Sequence, residues 1–393
     1  MKNKIFNICN FYAFLWFFLR AKDLLYDSDI ISVIIYLVIV AISLYYAASC
    51  FVKKDNPLFV RIYNVLFVVF CIYGVLNFFN GDIVAYVKIP KDFYLQNVVK
   101  SMLPFYAFYA FAQRGLITKK WLCVFLVIFL IESIGLYYVT ENKIIFQYSL
   151  DRDVGEVTNN IGYTFVSIIP LCLFLDKKKV FQYIILAIVS VYVVLSMKRG
   201  AIITGAVCIL YFFVGTMKGK FGFKQFRILI LSVAFVVMGY YFIMELMDSN
   251  TYFVERVDNT KEGYSSGRDM LFEYYWNMFW EDSNPIQMLV GRGADGTIRS
   301  GRNYAHNDWL EILINQGFLG VILFMLFWYR LGRVWITCPK SIVKTAIGMC
   351  FITLFLKTFF SMSINDMTIF STLILGIGIA SNQDERIYNE LTT

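Results

Sequence analysis

The only histidine of the chain lies in a polar segment whose residues could transfer a proton. This segment, YAHNDWLE, covers residues 304–311 and contains His306, Asp308 and Glu311. Histidine is the side chain best suited to exchange a proton near neutral pH. If a helix begins here, Asp308 and Glu311 share one of its faces, so a base and an orienting carboxylate could converge on one pocket. The alternative is a solvated histidine at a helix start. Which of the three residues would be the base stays open.

Two cations lie in a hinge between two apolar blocks. Lys198 and Arg199 stand in the sequence SMKRG and are followed by Gly200. The planar guanidinium of arginine presents a fork of donors that suits phosphate oxygens. The hinge therefore predicts an anion-binding site. The alternative is a pair of side chains that extend to lipid headgroups.

A long polar segment that precedes His306 supplies further candidates for anion binding, namely Arg268, Arg292 and Arg302. Arg268 opens the stretch RDMLFEYYWNMFWED (268–282), whose aromatic residues and flanking charges predict a helix lying in the membrane interface. Glycines on both sides of Arg292 predict tight turns. The chain has no Walker motif, HExxH or paired aspartates of the DxD type. We therefore expect neither a metal nor a cofactor.

The elements that position these residues are apolar blocks. Of 393 residues, 59% are apolar and 16% are charged, whereas soluble proteins average about 45–50% and about 25%. Blocks of this length cross roughly 30 Å of hydrocarbon as helices. The predicted fold is an all-α polytopic membrane protein with about 12 transmembrane helices and one long external loop. The spans lie near 5–19, 30–52, 58–79, 98–113, 121–139, 161–175, 180–197, 201–217, 228–247, 307–329, 343–361 and 367–381.

The distribution of lysine and arginine predicts the orientation. One alternate set of loops holds most of these residues, which places that set and both termini in the cytoplasm. This topology explains the net charge of +8, and no basic motif predicts nucleic-acid binding. The chain then divides into spans 1–9 (1–247), an external loop (248–306), and spans 10–12 with a short tail (307–393). Glu132 and Lys357 fall within spans, where a charge marks either a functional group or an interhelical pair.

These features together resemble the O-antigen polymerase/ligase superfamily (Wzy and WaaL). The resemblance covers about Ser196 to Phe327 and rests on the order of its motifs: Arg-Gly between central spans, Ser-Gly-Arg opening a helix in the long loop, Gly-x-Gly, His-Asn-Asp-x-Leu-Glu, and Gly-x-x-Gly at Gly317–Gly320. The family often has Ser before the Arg-Gly, where this chain has Lys198.

The resemblance implies a metal-independent glycosyltransferase of the GT-C type in the bacterial inner membrane. Its donor would be an oligosaccharide on undecaprenyl diphosphate, and its active site would face the periplasm. Arg199 and Arg268 would bind the diphosphate, and His306 would lie at the reacting centre. A polymerase that joins lipid-linked repeat units of O-antigen, capsule or exopolysaccharide is favoured. A chain-length regulator is a partner implied in the same way.

Two alternatives remain beside the polymerase. An O-antigen ligase would use the same donor and transfer the glycan to the lipid A-core of lipopolysaccharide. A transporter or flippase would explain the spans and the charges within them, but it would not explain an aromatic external loop that ends in the sole histidine.

Overall fold

The computed structural model describes residues 7–26, 28–80, 89–150, 159–216, 267–300, 303–339 and 341–392, with scattered positions between 230 and 258. Within these ranges every regular element is helical. The helices are α1 (Ile8–Arg20), α2 (Lys22–Leu25), α3 (Asp29–Val52), α4 (Leu58–Leu76), α5 (Phe93–Met102), α6 (Pro104–Gln113), α7 (Lys119–Leu150), α8 (Gly162–Ile168), α9 (Lys179–Leu195), α10 (Arg199–Thr216), α11 (Arg268–Glu281), α12 (Pro285–Val290), α13 (Gly296–Arg299), α14 (Asp308–Thr337), α15 (Ile342–Phe360), α16 (Ile369–Ser381) and α17 (Glu385–Thr392). Three 3₁₀ segments cover Asn77–Phe79, Ile169–Leu175 and Ile364–Asp366.

Six of the described helices are long and apolar enough to cross a membrane, as expected for a polytopic membrane protein. They are Asp29–Val52, Leu58–Phe79, Lys119–Lys143, Arg199–Thr216, Asp308–Thr337 and Ile342–Phe360. Shorter apolar helices occupy four further predicted spans: Ile8–Arg20, Gly162–Leu175, Lys179–Leu195 and Ile369–Ser381. The predicted span 228–247 lies mostly outside the described residues. The count of twelve spans therefore stays a prediction.

The centre of the bundle is formed by α6 and α16, which pack closely against each other. Nearly every residue of both helices is buried. At Gly376 a Cβ atom would lie 2.7 Å from the backbone nitrogen of Tyr109. Small residues allow this close approach between apolar helices. Helix α16 also packs against α5, α8 and α15.

The charges predicted within the spans are paired. Glu132 on α7 accepts hydrogen bonds from the guanidinium of Arg20 on α1, with a shortest distance of 3.1 Å. The ammonium of Lys357 on α15 lies 2.6 Å from a carboxylate oxygen of Asp366. Glu132 thus forms an interhelical pair, and Lys357 ties the end of its helix to the following loop. All eight cysteines are free.

Helix α14 is broken at Gly317. This residue has φ 65° and ψ −162° within an otherwise helical segment. A Cβ atom here would lie 2.5 Å from the backbone nitrogen of Gly291 and 2.6 Å from the carbonyl carbon of Leu289. Only glycine fits this combination of a left-handed φ and a close backbone approach. The break lets the segment around Gly291 dock against the first turns of α14.

Candidate active site

The predicted constellation lies at the beginning of α14. The side chain of Asn307 accepts a hydrogen bond from the backbone N–H of Leu310 at 3.2 Å and caps the helix. Asp308 and Glu311 both fall in the first turn, as the spacing predicts. His306 precedes the cap and has φ 53°, a left-handed conformation that histidine tolerates better than most residues with a Cβ atom. The helix start therefore fixes His306 at its N-terminal end.

The two carboxylates of this turn hold the surrounding backbone. Glu311 accepts hydrogen bonds from the N–H of Ala305 at 2.5 Å and from the hydroxyl of Thr297 at 2.8 Å. Asp308 accepts a hydrogen bond from the N–H of Ser363 at 2.7 Å. Both carboxylates are buried. They join the segment that contains Thr297 and Ala305, and the loop after α15, to the start of α14.

The Gly-x-Gly turn contacts α14 rather than forming a separate loop. The N–H of Arg292 donates to the carbonyl of Ile314 at 2.8 Å, and that of Gly293 donates to the carbonyl of Asn315 at 3.0 Å. The guanidinium of Arg292 donates to the carbonyl of Met278 at 3.1 Å and to the hydroxyl of Ser283. These bonds give Arg292 a structural role between α11 and the turn.

A polar cavity of about 360 Å³ lies beside the start of α14. Its walls come from six segments that are far apart in the sequence. The lining residues are Phe93, Tyr94, Asn97, Asn160, Lys198, Asp295, Tyr304, His306, Glu311, Asn315, Ser361, Met362 and Asp366. Of the predicted site residues, the wall thus combines Lys198, His306 and Glu311.

Two further predicted cations, Arg199 and Arg268, begin helices near this wall. Arg199 is the first residue of α10 and follows Lys198 directly. A Cβ atom on Gly200 would lie 2.8 Å from Cβ of Phe360, and Nη1 of Arg268 donates to the carbonyl of Phe360 at 2.8 Å. The start of α10 and the start of α11 therefore both contact Phe360. Arg302 lies outside the described residues.

His306 lies in an environment that keeps its side chain neutral. Burial and, after it, the positive charges of Arg268 and Lys198 together lower the pKa of His306 to about 4. An ordinary histidine has a pKa near 6.5. Both cations are therefore close enough to His306 to affect its pKa. At neutral pH the imidazole is therefore uncharged.

Backbone strain is concentrated around the cavity. Among the described residues other than glycine, three have a left-handed φ: Met197, Asp295 and His306. Asp295 and His306 line the cavity, and Met197 lies next to Lys198, which also lines it. Such conformations cost on the order of 1–3 kcal/mol each and cluster at functional sites. This clustering supports a functional role for the cavity.

Several wall residues were missed by sequence reasoning. Asn97, Asn160 and Asp295 carry no periodic or motif signal, and only the tertiary fold brings them together. Asp295 is 2% exposed, and its Oδ2 accepts a hydrogen bond from Nδ2 of Asn77 at 3.1 Å. The one available signal was the dipeptide Asp295-Gly296, which is typical of a turn.

An aromatic groove of about 570 Å³ runs between α11 and α14. Trp276 and Trp280 line it and are 53% and 46% exposed. Asn307 also lines this groove, while the preceding His306 lines the polar cavity. The predicted aromatic helix is thus observed at Arg268–Glu281, and its position at a membrane interface stays a prediction.

In the part of the chain that the structure describes, no group of three or more His, Cys, Asp or Glu side chains could hold a metal ion. Residues 184–325 match the family model Wzy_C, described as O-antigen ligase. No curated protein matches the chain. The matched segment covers more than a third of the chain and contains Lys198, Arg199, Arg268 and His306. This match confirms the resemblance of the chain to the O-antigen polymerase/ligase superfamily.

Proposed function

We propose that the protein is a polysaccharide polymerase of the bacterial inner membrane. It transfers a glycan from an undecaprenyl diphosphate-linked donor to a hydroxyl of an acceptor sugar at the periplasmic face. The observation that carries this proposal is a neutral His306 on a polar cavity wall, with Arg268 and Lys198 beside it. A glycosyl transfer from a diphosphate needs a base and a cationic partner for the leaving group, and these residues supply both.

The proposed reaction has one displacement step. The acceptor oxygen attacks the anomeric carbon while the bond from that carbon to the diphosphate breaks, so the anomeric configuration inverts. His306 takes the hydroxyl proton in the transition state. The diphosphate leaves as an anion without needing a proton. Fixed cations aimed at developing negative charge stabilise such a transition state, and this is the role of Arg199, Arg268 and Lys198.

Asp308 and Glu311 have positioning roles in this proposal. Each already accepts hydrogen bonds from backbone N–H groups, which ties its carboxylate to the neighbouring loops. The imidazole of His306 thus becomes the favoured base among the three candidates. Arg292 supports the loop rather than the diphosphate, since its guanidinium binds Ser283 and Met278.

The aromatic groove between α11 and α14 supports a lipid-linked donor. A polyprenyl chain is apolar and needs an apolar surface that opens to the bilayer, while its diphosphate needs a polar cavity at the same depth. Two adjacent residues line the two surfaces: His306 lines the cavity and Asn307 lines the groove. In this proposal one donor molecule places its diphosphate in the cavity and its polyprenyl chain in the groove.

An O-antigen ligase is the second candidate, because the matching family is described by that activity. The two functions differ in the acceptor. Purified protein in liposomes, supplied with the lipid-linked oligosaccharide from a strain lacking this gene, tests both. We expect a ladder of repeat-unit lengths in the presence of EDTA. A single product on added lipid A-core would instead favour the ligase. Movement of the donor across the bilayer without any transfer would contradict both.

A further inference from the structure

The cavity wall has a cationic part and an acidic part. Lys198 and Arg268 act on His306, whose pKa they lower in addition to burial. Two residues earlier, burial raises the pKa of Tyr304, and the negative charges of Asp295 and Glu311 raise it further. The third carboxylate on the wall, Asp366, is paired with Lys357 at 2.6 Å. The wall therefore changes the sign of its charge between His306 and Tyr304.

Asp295 is the carboxylate that gives the acidic part its character. Asn77, at the end of α4, holds it through the 3.1 Å hydrogen bond, and Arg299 lies close enough to lower its pKa. Burial nevertheless outweighs both partners and raises this pKa to about 6. A buried carboxylate whose pKa stays raised, although two partners favour its charged form, is typical of a functional residue.

The charge of Asp295 restricts what can bind next to it. A phosphate is repelled by a carboxylate in a poorly solvated cavity. A hydroxyl group, by contrast, donates a strong charge-assisted hydrogen bond to a carboxylate oxygen. Asn97 adds an amide to the same wall, and Phe93 adds a ring that is 37% exposed. These groups suit an uncharged, hydroxyl-rich ligand such as a sugar ring.

The geometry of the displacement indicates whether the sugar next to Asp295 belongs to the donor or to the acceptor. In an inverting transfer the attacking oxygen enters opposite the leaving group. In the proposed reaction the diphosphate binds Lys198 and Arg268, so the acceptor approaches from the other part of the wall with its attacking hydroxyl facing His306. We infer that Asp295 and Asn97 bind the hydroxyl groups of the acceptor sugar and determine its specificity. This inference rests on the proposed glycosyl transfer, and it makes Asp295 a specificity-determining residue.

Two binding probes, measured on the purified protein in detergent, separate the two parts of the wall. The first is undecaprenyl diphosphate without sugar in detergent. The second is the repeat-unit oligosaccharide released from the lipid-linked donor by mild acid. Asp295→Asn keeps the hydrogen bond from Asn77, and asparagine tolerates the left-handed φ. We expect this variant to bind the oligosaccharide about 10- to 100-fold more weakly, since it loses a hydrogen bond to a charged group. Its affinity for undecaprenyl diphosphate should stay within about twofold.

Arg268→Ala should show the opposite pattern, and Asp282→Asn, an exposed carboxylate of the same external loop, should change neither affinity. In the chain-growth assay Asp295→Asn should raise KM for the acceptor and leave kcat largely unchanged. Asn97→Ala should show the same split, which keeps the test decisive if Asp295→Asn does not fold.

Three results would count against the inference. Unchanged oligosaccharide binding in Asp295→Asn, or in Asn97→Ala when the first variant does not fold, overturns it. An equal loss of both probes also overturns it, because this indicates a structural role. A wild-type protein that binds neither probe and extends no glycan contradicts the proposed function itself, which is a different failure.

Discussion

Because His306 is the only histidine of the chain, its protonation can be followed as a single NMR resonance. Protein labelled at the histidine ring and purified with a histidine-free tag gives one titrating signal. We expect a midpoint near pH 4, in agreement with the lowered pKa, rather than the ordinary value of about 6.5. Exposure of the side chain to water would restore the ordinary value.

The size of this effect follows from linkage. The difference between 6.5 and about 4 corresponds to roughly 3 kcal/mol at 1.36 kcal/mol per pKa unit. Between about pH 4 and 6.5, His306 is protonated in the unfolded chain and neutral in the native state. Stability is therefore lost as the pH falls from 6.5, and the full loss is reached below about pH 4. His306→Asn, which tolerates the left-handed φ, should remove roughly 3 kcal/mol of this acid-induced loss.

Arg268→Ala is the decisive perturbation in the titration. Burial is the largest cause of the low pKa and the positive charge of Arg268 is the next, so we expect the midpoint to rise by roughly 0.5 to 1 pH unit. Arg386→Ala, which removes an arginine side chain that is 91% exposed, should leave the midpoint in place. A wild-type midpoint near 6.5, or an identical midpoint in Arg268→Ala, would refute the arrangement of charge around His306.

Gly317→Ala should lower the melting temperature and cost roughly 2 kcal/mol or more, since its Cβ would meet the backbone of the docked loop. Gly332→Ala on the same helix, whose Cβ would lie 3.7 Å from an aromatic ring, is the control and should be tolerated; equal melting temperatures would contradict the break. Glu132→Gln should cost about 3–5 kcal/mol by leaving Arg20 without its charge partner, and a thermal melt in detergent checks this. Asp295→Asn should stabilise the protein by about 3 kcal/mol above pH 6 and leave its stability unchanged near pH 3. The native pKa of Asp295, about 6, exceeds the ordinary value of 3.8, so ionisation of this carboxyl group as the pH rises destabilises the native state. Denaturation curves of wild type and variant at the two pH values measure this effect. If the carboxylate were solvated, the two proteins would be equally stable at both pH values.

The elements of the fold were largely predictable because apolar blocks mark the helices directly. The start of α14 was also predictable, since Asn307, Asp308 and Glu311 form a local pattern that depends only on residues three or four apart. The break at Gly317 was not predictable, because it depends on contact with a loop 26 residues earlier at Gly291.

In the site, too, features that depend on local sequence were predictable, and contacts between distant segments were not. Lys198 and His306 stood out by residue type and position, and both line the cavity. Arg292 stood out for the same reason, but its partners are Ser283 and Met278, and no pattern in the sequence indicates such a contact. Asp295 was missed because its burial and its bond to Asn77 arise only when distant segments meet.

In the proposed glycosyl transfer from a lipid diphosphate, His306 acts as the base. The most direct test compares wild type and His306→Asn in a single-turnover transfer assay, with binding of undecaprenyl diphosphate measured on the same samples. We predict a transfer rate reduced by about 10²- to 10⁴-fold, with the affinity for undecaprenyl diphosphate unchanged. A variant that transfers the glycan at close to the wild-type rate would contradict the role of His306 as the base.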